Sequence, residues 1–339
     1  MSMKILGAAA SLETARRFSI APMMEWTDRH CRYLHRLLTH ESLLFTEMVN
    51  SGAIVRGDAE RHLRFSPVEH PVALQLGGSD PTELAEATRI AATFGYDEVN
   101  LNVGCPSDRV QSGRFGACLM AEPALVADCV RAMRDASPMP VTVKCRIGID
   151  DQDIEESLDR FADAMVEAGV AALYVHARKA WLQGLSPKEN RTIPPLDYPR
   201  VYRLGQRLNP LPTMINGGIE TLDAAEAHLE HMDGVMLGRA AYHNPMLLAE
   251  VDRRIFGRDT PAPELGAIMA AMADYAEGEL ASGSARLNNI ARHMLGLANG
   301  RPGARQFRQI LSVDACRPHA GPEVFARALA AVEERAEAV

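Results

Sequence analysis

Cysteine is sparse in this chain, and none of the six (Cys31, Cys105, Cys118, Cys129, Cys145, Cys316) stands in a C-x-x-C pair. That excludes the common zinc modules and a disulfide-stapled secreted domain, and it points to free thiols in a reducing compartment. Aromatic residues make up only 5% of the chain, so the core has to be built from aliphatic side chains. No window offers the roughly eighteen uncharged apolar residues that a membrane span needs. Lys4 and the apolar run Ile5 to Ala10 imitate a signal peptide, but the run is short and Glu13, Arg16 and Arg17 follow it. The expectation is therefore a soluble, cytoplasmic protein. Positive charge is in deficit as well, with a formal net charge of −8, which on average weighs against a nucleic-acid partner.

What the chain does have is length and apolar content. Its 339 residues are 47% hydrophobic, which excludes wholesale disorder and suits a large domain, alone or with a small one. Short apolar, β-branched runs recur at Phe18–Pro22, Leu43–Glu47, Val72–Leu76, Glu98–Asn102, Val141–Cys145, Ala171–His176, Thr213–Asn216 and Gly234–Leu237. They read as near-continuous rather than alternating, the pattern of parallel strands covered on both faces. Helical patterns lie between them, opened by Thr27, by Ser79-Asp80-Pro81, by Glu122-Pro123 and by Thr221. Eight strand–helix repeats predict an α/β fold, a (β/α)8 TIM barrel over 15–250, with a doubly wound open sheet as the alternative. After the linker Gly257 to Pro263 only helical spacing remains, as in Ile268, Met272 and Tyr275 or Phe325, Leu329 and Val332. A small all-helical domain over 262–339 is expected there.

In such a barrel, chemistry sits at the C-terminal ends of the strands. The residues found there are Pro22-Met23-Met24, Glu47, Gln75, Asn102 to Cys105, Lys144, His176, Asn216-Gly217-Gly218 and Gly238-Arg239. Asn216-Gly217-Gly218, alone an ordinary turn, combines with Gly238-Arg239 into a phosphate cradle after strands seven and eight. Lys144 inside a strand needs a partner: it can hold an anion, form a Schiff base, or reach out at the rim. His176 is either a hydrogen-bond donor to a ligand or a satisfied core histidine. The Gln75 amide suits a heterocycle edge and equally suits a bond to a neighbouring strand. Asn100-Leu101-Asn102-Val103-Gly104-Cys105-Pro106-Ser107 is the most specific segment, since it puts a thiol at the barrel mouth. A neutral thiol is a competent proton donor near neutral pH. The loop after it, Gln111 to Ala117, is glycine-rich enough to move.

Together, Ala21-Pro22-Met23-Met24, Ala73-Leu74-Gln75-Leu76-Gly77-Gly78, Asn100 to Ser107, Val143-Lys144-Cys145-Arg146, Val175-His176-Ala177-Arg178 and Asn216-Gly217-Gly218-Ile219 resemble the tRNA-dihydrouridine synthase family. The stretch Lys179 to Arg191 is similar to its bacterial A-type branch. The resemblance implies an FMN enzyme that uses NADPH to reduce uridine in the D-loop of tRNA, at positions 20 and 20a for this branch. It implies flavin contacts at Pro22, Met23, Met24, Gln75, Lys144, His176, Asn216, Gly217, Gly218, Gly238 and Arg239. It further implies a catalytic Cys105 and a substrate-side Asn102.

A tRNA partner needs cations, and the average charge hides two groups of them. Ala285–Arg317 carries Arg286, Arg292, Arg301, Arg305, Arg308 and Arg317 against the single acid Asp314; Arg178, Lys179, Lys188 and Arg191 form the second. Arg178, Lys188, Arg191, Arg305 and Arg308 are the expected phosphate contacts. No metal site and no obligate protein partner are expected, and a monomer is the default. Three rival readings stay open: another FMN barrel acting on a small pyrimidine or enoate, a Schiff-base sugar-phosphate aldolase using Lys144, and a non-catalytic tRNA-binding module.

Overall fold

The computed structural model describes residues 11–107, 110 and 113–337. The signal-like run after Lys4, and Gln111 and Ser112 of the glycine-rich loop, lie outside the described residues. Eight parallel strands close into a barrel: β1 (Phe18–Ile20), β2 (Leu43–Asn50), β3 (Val72–Gly77), β4 (Glu98–Val103), β5 (Val141–Arg146), β6 (Leu173–His176), β7 (Thr213–Asn216) and β8 (Gly234–Leu237). The ring is sealed by β1 pairing with β8, Ser19 opposite Met236. The closed ring excludes the open-sheet alternative. Strand β2 runs three residues past the expected end, and its pairing with β3 shifts between Phe45 and Met48.

Strand parity decides which side chains enter the barrel. Ala73 pairs with Glu98, Gln75 with Asn100, Asn100 with Thr142, Lys144 with Tyr174, and Tyr174 with Met214. One interior layer is apolar: Leu43, Phe45, Ala73, Tyr174, Met214 and Met236 pack together, with the Phe45 and Tyr174 rings edge to face at 5.1 Å. Truncating Phe45 there removes about 3–5 kcal/mol. Toward the C-terminal ends of β3 to β7 the same parity brings in Gln75, Asn102, Lys144, Arg146, His176 and Asn216.

The chain divides into two compact units, Met1–Met24 with Glu41–Gly238, and Glu25–His40 with Arg239–Val339. The boundary therefore falls ahead of the 250/262 break suggested by composition. The helix Arg29–Leu38 after β1 belongs to the second unit, for a physical reason. Tyr33 stacks on Tyr275 at 4.0 Å, Arg29 grips Glu279 with one arm at 2.6 Å, and Asp28 accepts from His293 at 3.0 Å. That helix is capped by Asp28 rather than Thr27, because the Asp28 carboxylate accepts from the His30 and Cys31 backbone N–H groups. Asp80 and Thr221 cap as the sequence suggests. In the second unit the helix Leu265–Ala281 buries Leu265, Ile268, Met269, Met272 and Ala276, a stripe at helical spacing. No described helix is long and apolar enough to cross a membrane.

Candidate active site at the barrel mouth

Strand β4 ends where Asn102 turns its side chain onto the chain that follows. Its Oδ1 accepts from the backbone N–H of Gly104 at 3.1 Å and of Cys105 at 3.0 Å. From the other side, Ala117 N–H donates to the Cys105 carbonyl at 2.9 Å. Gly116 makes that closure possible: its φ is +78°, and a Cβ there would stand 2.6 Å from the Cys105 carbonyl oxygen. The thiol is thus clamped through both backbone groups, partly exposed, with Sγ donating to Ser107 Oγ at 3.5 Å. Asn102, expected on the substrate side, has its carbonyl oxygen fully committed to this turn, and its Nδ2 donates to Gln75 Oε1 at 2.8 Å.

A ring of cations faces this turn. Lys144 Nζ donates to Asn216 Oδ1 at 3.1 Å, and burial together with the Arg146 charge lowers its pKa to about 8. Arg146 is buried and brought down to about 10 by desolvation. It donates to the Gly104 carbonyl at 2.8 Å and to the carbonyls of Lys179 and Asn190 at 3.0 and 3.1 Å. One guanidinium therefore ties the cysteine turn to the loop after β6. Burial, then the charges of Arg146, Lys144, Arg178 and Arg191, push His176 well below the usual imidazole range, so it is neutral at physiological pH. Lys144, Arg146 and His176 feel one another's charges and those of Arg178 and Arg191, opposed on Lys144 and Arg146 by the Cys105 thiol. Such a concentration of basic side chains in a low-dielectric site favours an anion.

The residues also fit a flavin phosphate and ring. His176 Nε2 is buried with no hydrogen-bond partner among the described residues, and a polar ligand atom would satisfy it. Beside it, Gly217 and Gly218 take φ values of +116° and +69°. A Cβ on Gly217 would meet the His176 ring at 2.8 Å, and one on Gly218 would stand 2.9 Å from the Tyr198 hydroxyl. Tyr198 fixes this turn by donating to the Gly217 carbonyl at 2.7 Å. Gly238 has room instead: an added Cβ meets Met23 Sδ at 3.6 Å.

A family described as dihydrouridine synthase (Dus) matches residues 19–330. The chain belongs to the dihydrouridine synthase family. It is 57% identical over 317 residues to the tRNA-dihydrouridine(20/20a) synthase of Vibrio parahaemolyticus, covering 93% of this chain and 97% of that one. Against the protein of the same name from Salmonella typhi the identity is 58% over 322 residues, 95% and 96% of the two chains. The Escherichia coli K12 protein of that name is 57% identical over 320 residues, 94% and 92%. An old yellow enzyme homologue from Zymomonas mobilis shares the barrel fold, with TM-score 0.52 and 14% identity over 74% of this chain and 92% of that one. This chain is accordingly a dihydrouridine synthase family oxidoreductase.

Gln75, Asn102, Cys105, Lys144, Asn216, His176 and Gly217 come together at the mouth through the contacts above. Arg178 and Arg191 join them electrostatically, Arg178 also donating to the Pro194 carbonyl. Pro22 and Met23 are half-buried in the turn after β1, and Met24 is 53% exposed. Arg239 opens the second unit, and Lys188 is exposed on the β6–β7 segment. In the second unit, Arg305 and Arg308 are exposed on the helix Ala304–Val313. Arg305 lines a cavity of about 890 Å³ with Arg301, Arg317 and Arg335, while Arg308 donates to Asn299 Oδ1 at 3.0 Å. Arg292, counted above among the basic residues, instead pairs with Asp28 at 2.5 Å.

The sequence reading missed Arg146, Tyr198 and Asn190. Asn190 is fully buried and ties the β6–β7 loop, accepting from Trp181 N–H at 2.8 Å and donating to the Trp181 and Leu185 carbonyls. Arg146 carried a signal, since it lies two residues after Lys144 on the same strand face. Asn190 and Tyr198 carried none, because loop partners are not periodic. Among the described residues no cluster can hold a metal ion.

Proposed function

We propose that this chain is an FMN- and NADPH-dependent tRNA-dihydrouridine synthase that reduces uridine at positions 20 and 20a in the D-loop, working in the cytoplasm as a monomer. The positions are those in the names of the bacterial relatives. The observation that carries the reading is a thiol clamped through both backbone groups beside the basic side chains Lys144 and Arg146.

Saturating the C5=C6 bond of uracil requires a hydride at one carbon and a proton at the other. A flavin held here and reduced by NADPH would supply the hydride for C6. The Cys105 Sγ–H gives its proton to C5, and the thiolate left behind is stabilised by the nearby Lys144 and Arg146 charges until solvent reprotonates it. Lys144 would also hold negative charge on a bound flavin, as its low-dielectric position favours. His176 Nε2, Gln75 and Asn216 serve as polar contacts to the cofactor, Gly217 and Gly218 admit its phosphate, and Pro22, Met23, Met24, Gly238 and Arg239 complete that set. The target uridine has to leave its stack to reach the mouth. There, one remaining Asn102 Nδ2 hydrogen is available to a uracil carbonyl. Arg178, Lys188, Arg191, Arg305 and Arg308 contact the tRNA backbone.

Cys105→Ala separates the steps. It should bind flavin and be reduced by NADPH as the parent does, yet turn over tRNA about 10²–10⁴-fold more slowly. Loss of flavin with tRNA turnover otherwise intact per bound flavin would make the cysteine structural and overturn the reading.

A further inference from the structure

Beneath the mouth, the interior of the barrel contains a polar chain whose lower members, Asn100, Thr142, Glu98 and Arg16, the reaction scheme does not use. Arg16 Nε donates to Glu98 Oε2 at 2.8 Å, and both groups are buried. Thr142 Oγ1 donates to Glu98 Oε1 at 2.5 Å. Asn100 Nδ2 donates to Thr142 Oγ1 at 2.9 Å, Gln75 Nε2 to Asn100 Oδ1 at 2.8 Å, and Asn102 Nδ2 to Gln75 Oε1 at 2.8 Å. The last member, Asn102 Oδ1, receives the Gly104 and Cys105 backbone N–H groups. From the cysteine turn down to the carboxylate every donor points the same way, and Arg16 donates to the second carboxylate oxygen.

That direction is forced at both ends. Backbone N–H groups only donate, and a carboxylate paired with a guanidinium only accepts. Turning any one of the three amides over would set donor against donor and acceptor against acceptor at its neighbours. Thr142 is the link that transmits the direction, since its hydroxyl has one hydrogen and uses it on Glu98. An apolar layer would fill this space at no desolvation cost, as Phe45, Met214 and Met236 do elsewhere inside the barrel. The polar groups run across the neighbouring strands β3, β4 and β5, and β4 leads into the cysteine turn.

We propose that Thr142 and Asn100 are positioning residues: the one-way chain anchored on Glu98 fixes the amide orientations of Gln75 and Asn102 and, through them, the place of the Cys105 turn. The inference rests on Cys105 being the proton donor. Thr142→Val keeps the side-chain shape, leaves Glu98 with Arg16, and removes the hydroxyl that sets Asn100; Thr142→Ser restores it.

The test uses the full-length holoenzyme. Flavin is reduced with dithionite, unmodified tRNA is added anaerobically, and the reoxidation rate is read at saturating tRNA. Hydrogen exchange of the peptide spanning 103–107 is measured in parallel by mass spectrometry. Thr142→Val should slow reoxidation about tenfold with tRNA affinity unchanged. It should speed exchange in that peptide and not in the other strands, and Thr142→Ser should recover both. Parent-like rates in Thr142→Val, or equal loss in Thr142→Ser, would overturn the proposal. Should Thr142→Val not fold, Thr142→Ala carries the same loss with a small void; failure of both while Thr142→Ser folds would assign the hydroxyl to stability and overturn the proposal too. A Cys105→Ala control that reoxidises at the parent rate would instead defeat the proton-donor reading, whatever position 142 shows.

Discussion

Lys144 carries the clearest single-residue consequence. Burial and the Arg146 charge bring its pKa down to about 8, so the ammonium is charged below that pH and neutral above it. Affinity for an anionic cofactor should therefore fall as pH rises through about 8. Flavin titrations of Lys144→Met should be weaker at pH 7 and nearly flat from pH 7 to 9; an unchanged pH slope in that variant would remove Lys144 from the anion site. Residues such as Cys105 and Lys144 were legible in the sequence because a polar group at the end of an apolar strand is conspicuous. Glu98, Asn100 and Thr142 were not, although Glu-x-Asn-x-Asn along β4 alternates with strand parity. Their partners lie on β3 and β5, and only closure of the barrel brings them together. Asn102 gains a second role for the same reason: its Oδ1 accepts from two N–H groups of its own turn.

Among elements, the turn after β7 is the most demanding. Gly217 needs both a positive φ and the space beside His176, so Gly217→Ala should weaken flavin binding about tenfold or more. Gly238→Ala, with only the Met23 sulfur at 3.6 Å, should have a far smaller effect. Comparing flavin content after gel filtration checks both, and equal retention would contradict the turn's assignment. The helix Ala304–Val313 makes a separate prediction. Replacing Arg305 and Arg308 by Ala should weaken tRNA binding and lower its salt slope by roughly two, with NADPH oxidation intact. Affinity measured at several salt concentrations decides it. Strands and most caps could be read from local pattern. The cap at Asp28 was misplaced by one residue, since Thr27 and Asp28 are both good capping types and only the hydrogen bonds separate them.

For the whole molecule, the division into units was the least legible feature. The segment Glu25–His40 follows β1 in sequence yet packs with the C-terminal helices, through aromatic and ionic partners some 245–265 residues away. Nothing local marks such a return. It also gives the second unit an acid sensitivity. Burial lowers His30 to about 4 and His35 to about 3, while unfolded histidine titrates near 6.5. The unfolded chain thus takes up protons first as pH falls. Stability is full above pH 6.5 and declines toward pH 4 and then 3, by ~1.4 kcal/mol for each pH unit between folded and unfolded values. Asp28, which burial pushes up but the His293 hydrogen bond holds below the usual carboxylate range, adds to the loss at still lower pH. Thermal unfolding between pH 7.5 and 4.5 should show the decline; a flat profile would contradict the neutral, buried state of these imidazoles.

The central claim is that reducing equivalents pass from NADPH to a uridine of tRNA within this barrel. An anaerobic visible spectrum of the purified protein tests it, recorded first with NADPH and then with unmodified tRNA. The account predicts a flavin band that bleaches with NADPH and returns when tRNA is added. A band that stays bleached with a competent tRNA, or no flavin band even after FMN is supplied, would contradict it.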